Sequence, residues 1–191
     1  MTKRSTYIIF SVIIALALAV TGVLYLKSSR ESDTAKNADE TRETNNSLKI
    51  YRDPGFGFVF TYPERYGLTV LPTDAGDGET ILLQNKDGSK DGFQIVVSPF
   101  DEPYDSGPGK PGPITAERIK QDIPDMTIES PMDVVIGKGK ATPALIFFSS
   151  QESFGRTREV WFLGNGSVFQ VTGYAASDAM IGSVMETWSF Q

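Results

Sequence analysis

Two groups of carboxylates are the residues whose types and spacing could do chemistry. In "DAGDGE", Asp74, Asp77 and Glu79 set three acids within six residues, and a hard cation such as calcium takes oxygen ligands from flexible loops. The spacing misses the EF-hand pattern and Asp-Gly is ordinary turn chemistry, so a plain hairpin is the first reading and calcium the second. In "DEPYD", Asp101, Glu102 and Asp105 flank Tyr104 at the head of a loop with four prolines and three glycines, "DEPYDSGPGKPGP". Long loops without regular structure often carry function, and these four residues are the candidate partner-binding loop, for a cation or a basic partner. A carboxylate pair could hydrolyse glycosides, but that chemistry needs two acids across a cleft, and nothing in the spacing sets any two at that separation.

Much other chemistry is excluded outright. The 191 residues include neither histidine nor cysteine, which removes Ser-His and Cys-His nucleophiles, imidazole and thiolate metal sites, disulfides and attachment of lipid to a cysteine. No Walker loop occurs, and "GNGS" lacks the lysine a phosphate site would use. Asn45-Asn46-Ser47 and Asn165-Gly166-Ser167 satisfy the N-glycosylation pattern, which is frequent by chance. Residues 27–191 carry 16 basic against 24 acidic groups, a net of −8. Such a field opposes the phosphate contacts on which nucleic-acid binding depends.

Residues 7–26, "YIIFSVIIALALAVTGVLYL", run 20 positions without a charge. At about 1.5 Å per residue that crosses a hydrocarbon core of about 30 Å, with Tyr7 and Tyr25 where interfacial aromatics belong. Lys3 and Arg4 followed by Ala17-Leu18-Ala19 also fit a cleaved signal peptide. Cleavage there leaves an apolar core of only about ten residues, and hydrophobicity continues through Leu26, so an uncleaved signal-anchor fits better. A type IV pilin leader lacks its glutamate and preceding glycine. The basic start places the N-terminus inside and the C-terminal domain outside the cytoplasm, although Lys27, Arg30, Lys36 and Arg42 count the other way. The expected organisation is a basic tail (1–6), the anchor (7–26), a polar tether (27–47) without large apolar residues over Ser28–Ser47, and one folded domain (48–191).

Within that domain, Phe56, Phe58, Phe60 and Tyr62 alternate with Gly57, Val59 and Thr61, the pattern of one strand with a buried face under a helix. Leu68–Leu71, Thr80–Asn85 and Phe93–Ser98 read as an antiparallel meander with glycine- and aspartate-rich hairpin loops. A helix begins after Thr115, its N-cap, with Glu117 in the first turn, Ile119 and Ile123 four apart, and Pro124 ending it. Met132–Ile136, then "GKGK", lead to Ala141–Ser149, whose "ALIFF" run predicts a central strand buried on both faces. Thr157–Leu163 and Val168–Tyr174 join through Asn165-Gly166, a type I′ signal. Ser177 caps a last helix whose stripe is Met180, Ile181, Val184, Met185 and Trp188. Trp161 and Trp188 pack inside. The fold class is α+β: one antiparallel sheet of about seven strands flanked by helices, preceded by one transmembrane helix.

The "GFGFVFTYPERY" opening, the central strand after a glycine turn, the "REVWFLGNGSVFQVTGY" hairpin and the closing "ETWSF" together resemble the PsbP-like family, including its small membrane-anchored bacterial members, over about Leu48–Gln191. The resemblance implies an α-β-α sandwich that serves as a non-enzymatic accessory or binding module outside the cytoplasm; apart from calcium at Asp74, Asp77 and Glu79, no cofactor is expected. It makes Ser189-Phe190 core residues, and Tyr66 stands where the family commonly has a tryptophan. The tether does not resemble the segment on which the plant photosystem members depend, so a photosynthetic role is not implied. A small carboxylate-dependent hydrolase or ligand-processing enzyme of the cell envelope is the alternative. It requires a concave pocket lined with several acids, at least one of shifted pKa. A partner-binding face requires exposed aromatic residues next to the crossover loop, residues 101–113.

Overall fold

The period-two aromatics make the strand they predict. The computed structural model describes residues 47–72, 78–100, 114–151 and 155–191. In β2 (Phe58–Pro63), Phe58, Phe60 and Tyr62 are buried while Val59, Thr61 and Pro63 face the other way. That strand does not open the domain. Leu48–Asp53 forms β1, paired antiparallel with β2, so "DPGF" is a hairpin turn. The turn closes through Asp53, whose Oδ1 accepts the Phe56 N–H at 2.8 Å, the self-bonding that favours aspartate in turns. Ser189–Phe190 (β10) pairs on the other edge of β2 and completes a three-stranded sheet.

Seven further strands make the second sheet. They are β3 (Tyr66–Pro72), β4 (Glu79–Asn85), β5 (Gly92–Pro99), β6 (Glu129–Ile136), β7 (Thr142–Gln151), β8 (Gly155–Gly164) and β9 (Ser167–Tyr174). Their order is β3-β4-β5-β9-β8-β7-β6, every neighbouring pair antiparallel. The β3-β4-β5 meander is the expected one, and Asn165 and Gly166 turn β8 into β9 with φ of 47° and 73°, the two positive values of a type I′ turn. Two expectations are corrected. One sheet becomes two, because β2 pairs with β1 and β10 instead of joining the meander. The "ALIFF" strand is buried on both faces through Ala144, Leu145 and Phe147 but lies next to the edge; β9 holds the middle. An apolar run reports burial of two faces and not position across the sheet.

The helices are short. In α1 (Ala116–Asp122), Thr115 Oγ1 accepts the Arg118 N–H at 3.2 Å and Ile119 is buried. In α2 (Asp178–Thr187), Met180, Ile181, Val184 and Met185 form the buried stripe, extended by Trp188 just past the last turn. Ser177 makes no side-chain cap. It ends a 3-10 turn, Ala175–Ser177, and its hydroxyl instead donates to Asp91 Oδ1 (2.9 Å) and accepts the Gly92 N–H (3.0 Å), tying α2 to the head of β5.

One core joins these parts. It takes Phe58, Phe60 and Tyr62 from the small sheet, the stripe of α2, and from the large sheet Ile81, Leu83, Phe93, Ile95, Val97, Val160, Phe162, Phe169 and Val171. Residues of opposite parity, among them Leu145, Phe147, Trp161, Leu163 and Val168, are buried on the other face of the large sheet. No helix among the described residues is long and apolar enough to cross a membrane, and residues 7–26 lie outside them. Phe58 and Phe60 are wholly enclosed, so Phe58→Ala and Phe60→Ala should each lower unfolding free energy by about 3–5 kcal/mol in urea titrations. A loss below about 1 kcal/mol would remove them from the core.

Candidate functional site

The acidic loop residues named from sequence part company. Asp74 and Asp77 lie outside the described residues, as do Asp101, Glu102, Tyr104 and Asp105. Glu79 is the first residue of β4, and its partner is one the sequence did not suggest: Asp53 of β1, to which it is hydrogen-bonded. Burial, then the bond to Asp53 and the charge of Asp53, push Glu79 up to about 7. Burial works the opposite way to the outcome at Asp53, where bonds from the Phe56 N–H, Glu79, Tyr51 and the Gly55 N–H hold the carboxyl below its usual value. Glu79 therefore carries the shared proton and Asp53 the charge, as when like groups in contact cannot both ionise. The Tyr51 hydroxyl donates to Asp53 Oδ2 at 2.9 Å, and burial raises its own pKa. Asp53 is 5% exposed. The pair clips the small sheet to the large one.

A second acid that sequence reasoning missed is Glu159, in the middle of β8 and wholly buried. Its Oε1 accepts from Thr157 Oγ1 at 2.7 Å, and its Oε2 from Thr172 Oγ1 at 2.6 Å and Trp161 Nε1 at 3.3 Å. Burial pushes it up to about 7 against these three bonds, which favour the ionised form. The signal was available. In "REVWFLG" the apolar run Val160–Leu163 reads as a strand buried on both faces, and Glu159, directly before it, shares the face of Trp161 and Leu163.

Among the described residues, an open concavity lies elsewhere, on the outer face of the three-stranded sheet. It is a groove of about 490 Å³ whose lining includes Ile50 and Arg52 of β1, Val59 and Thr61 of β2, Lys138 and Glu186. Its rim is built by the end of α2. The Gly137 and Lys138 N–H groups donate to the carbonyls of Met185 (2.9 Å), which also accepts the Trp188 N–H, and Trp188 (2.7 Å), tying this turn to the helix end. The Thr61 N–H donates to Thr187 Oγ1 at 2.9 Å. Asp53, Glu79 and Glu159, the described acids of raised or shared proton affinity, do not line it. The large exposed apolar residues among those described are aliphatic: Leu48, Ile50, Val70, Met132 and Val135.

The sign of the Glu159 effect is fixed by its direction. A carboxyl raised from 4.5 to about 7 binds its proton more tightly folded than unfolded, so the stability it contributes is full below about pH 4.5 and is lost as pH rises through about 7. Glu159→Gln should flatten stability between pH 5 and 8 by about 3 kcal/mol at most, read from urea midpoints across that range; an unchanged pH profile would show that Glu159 does not titrate there.

No protein-family model matches the chain, and no curated protein sequence matches it. Among solved structures, the solution structure of cyanobacterial PsbP (CyanoP) from Synechocystis sp. is similar to it, with 11% sequence identity, coverage of 76% of this chain and 94% of that one, and a TM-score of 0.49.

Proposed function

We propose that residues 48–191 form a PsbP-like accessory or binding module, without catalytic activity, that residues 7–26 anchor in the cell membrane and display outside the cytoplasm to a protein partner in the envelope. The observation that carries the binding reading is where the polar groups point. The acids of raised proton affinity are turned inward, Glu159 onto three neutral donors and Glu79 onto Asp53. The groove on the outer face of the small sheet is lined by the exposed cations Arg52 and Lys138, by Ile50 and Val59, and by Glu186 and neutral polar side chains, a mixed surface open to contact. Asp101, Glu102, Tyr104 and Asp105 supply a second, acidic contact loop. Calcium at Asp74, Asp77 and Glu79 remains the secondary reading of that turn.

One observation favours the hydrolase alternative: Asp53 and Glu79 are two carboxyls whose environments push their proton affinities apart, the arrangement by which acid and base roles are divided. Against it stands their burial beneath Tyr51, away from the groove. Asp53→Asn that keeps the fold and abolishes a measured hydrolytic activity would establish that alternative.

Two measurements test the binding module. The full chain should stay with the membrane through alkaline carbonate washing, whereas a chain starting at Lys27 should be recovered in the supernatant as a monomer; a full chain released by carbonate would remove the anchor. Cross-linking in the native cells should capture a saturable partner that is lost when Asp101, Glu102 and Asp105 are changed to Asn, Gln and Asn. Capture of the same neighbours by a chain of residues 1–47 alone would overturn the assignment.

A further inference from the structure

We propose that the outer face of the β1-β2-β10 sheet is the docking site for an acidic, partly apolar segment of a partner protein, an inference that rests on the binding-module reading above. Arg52 and Lys138 both line the groove on this face, and among the described residues neither side chain makes an ion pair or hydrogen bond. Most other described bases are engaged: Lys49 with Glu64, Arg118 with Asp122, Arg156 with Glu129, Arg158 with Asp178, Lys86 and Lys120 on main-chain carbonyls, and Arg65 on the Tyr66 hydroxyl. Lys90 and Lys140 are likewise unpaired but do not line the groove, so Arg52 and Lys138 are its two open cations, and a carboxylate from outside completes them.

The neighbouring side chains define the rest of the ligand. Leu48 and Ile50 are 63% and 59% exposed and precede Arg52 at alternate positions on one face of β1, since successive side chains of a strand point to opposite sides. An extended segment lying on this face sets apolar side chains over Leu48 and Ile50 and a carboxylate between Arg52 and Lys138. The second cation stands on a fixed support, because the Gly137 and Lys138 main-chain bonds to the end of α2 hold the turn. Glu186 also lines the groove and opposes the ligand's charge, which gives the proposal a second handle.

Charge also confers selectivity. Residues 48–191 carry 12 basic against 19 acidic groups, so an acidic partner is repelled by most of the surface and accepted at this patch. An anionic lipid surface would meet the same cations. The concavity, about 490 Å³, fits a protein segment better than a flat bilayer.

The test uses the full chain in neutral detergent micelles and a fluorescent, end-blocked peptide in which threonine alternates with valine, valine and glutamate, beside a counterpart with lysine for glutamate. Binding is read by anisotropy. The acidic peptide should bind and the basic one should not; Arg52→Glu with Lys138→Glu should weaken the acidic peptide at least about tenfold and admit the basic one, and Glu186→Gln should tighten the acidic peptide about two- to fivefold. Because neither cation has an internal partner, these variants should melt at the wild-type temperature. Equal binding of both peptides, or indifference to the double reversal, overturns the proposal. So does binding to phosphatidylglycerol vesicles without binding to the acidic peptide, which gives the face to lipid. If the peptides fail while the cross-linking capture succeeds, the module reading stands and the groove assignment alone falls.

Discussion

The enclosure of Trp188 is the constraint on which the rest of the domain depends. Its indole stacks on Phe58 at 4.6 Å between centroids and on Phe60 at 5.4 Å, and meets Phe162 and Phe169 edge-on at 5.1 and 5.3 Å. One side chain thus touches both sheets from the point where α2 ends and β10 begins. Offset and edge-on pairs of this kind add about 0.5–1.5 kcal/mol each beyond the area they bury. They have an opposing term to overcome, since the buried indole Nε1–H has no partner and an unsatisfied donor costs about 1–3 kcal/mol. The same residue fixes the surface: its carbonyl receives the Lys138 N–H, so the core aromatic and the exposed cation are held by one short piece of backbone.

The close fit around that cluster accounts for the short β10. Phe190 lies directly over Gly164 of β8, where an added Cβ would collide with the ring. Its ring also meets Phe162 and Phe169 edge-on, at 6.5 and 5.5 Å. A two-residue strand would be marginal by its own hydrogen bonds. Here it is fixed by ring packing on one side and by the Gln191 N–H bonded to the Gly57 carbonyl on the other. The three-stranded sheet is therefore a product of the core and not an independent hairpin laid upon it.

That dependence explains which features could be read from sequence. Alternation along Phe58, Phe60 and Tyr62, the Asn165-Gly166 turn, the Thr115 cap and the stripe of α2 are local signals, each legible because the physics acts within a few residues. β1 was hidden because "LKIYRD" is exposed at nearly every position and so lacks a clean period. Ser177 stands where a cap belongs, yet its hydroxyl is taken by Asp91 and Gly92, 86 and 85 residues away, a choice that only tertiary structure makes. The Asp53–Glu79 pair was hidden for the same reason, since its members come from different sheets. The acids that sequence singled out for chemistry in "DAGDGE" and "DEPYD" were chosen by clustering along the chain. The acids of raised proton affinity, Glu159 and, among the clustered ones, Glu79, were set by burial, and burial follows from pairing between distant strands.

Burial also changes the charge the protein shows to its surroundings. Glu79 and Glu159 are both pushed up to about 7, chiefly by burial, so near neutral pH each carries less charge than an exposed glutamate. The formal excess of acid in residues 48–191 therefore overstates the field outside, and the part that remains comes from exposed carboxylates. Cations are distributed in the opposite sense. Arg158 is clamped in two bonds to Asp178 at the first turn of α2, at 2.7 and 2.9 Å, and with Arg156 also lies over the Phe148 ring. Such bases are used up in holding strand to helix and edge to sheet. Arg52 and Lys138 hold nothing, and they are the ones that face a groove. Most described bases are used for cohesion, and of the four left unpaired, Arg52, Lys90, Lys138 and Lys140, two stand in the groove beside exposed aliphatic side chains. In a net acidic domain that makes the outer face of the small sheet the place where an acidic partner is attracted and not repelled.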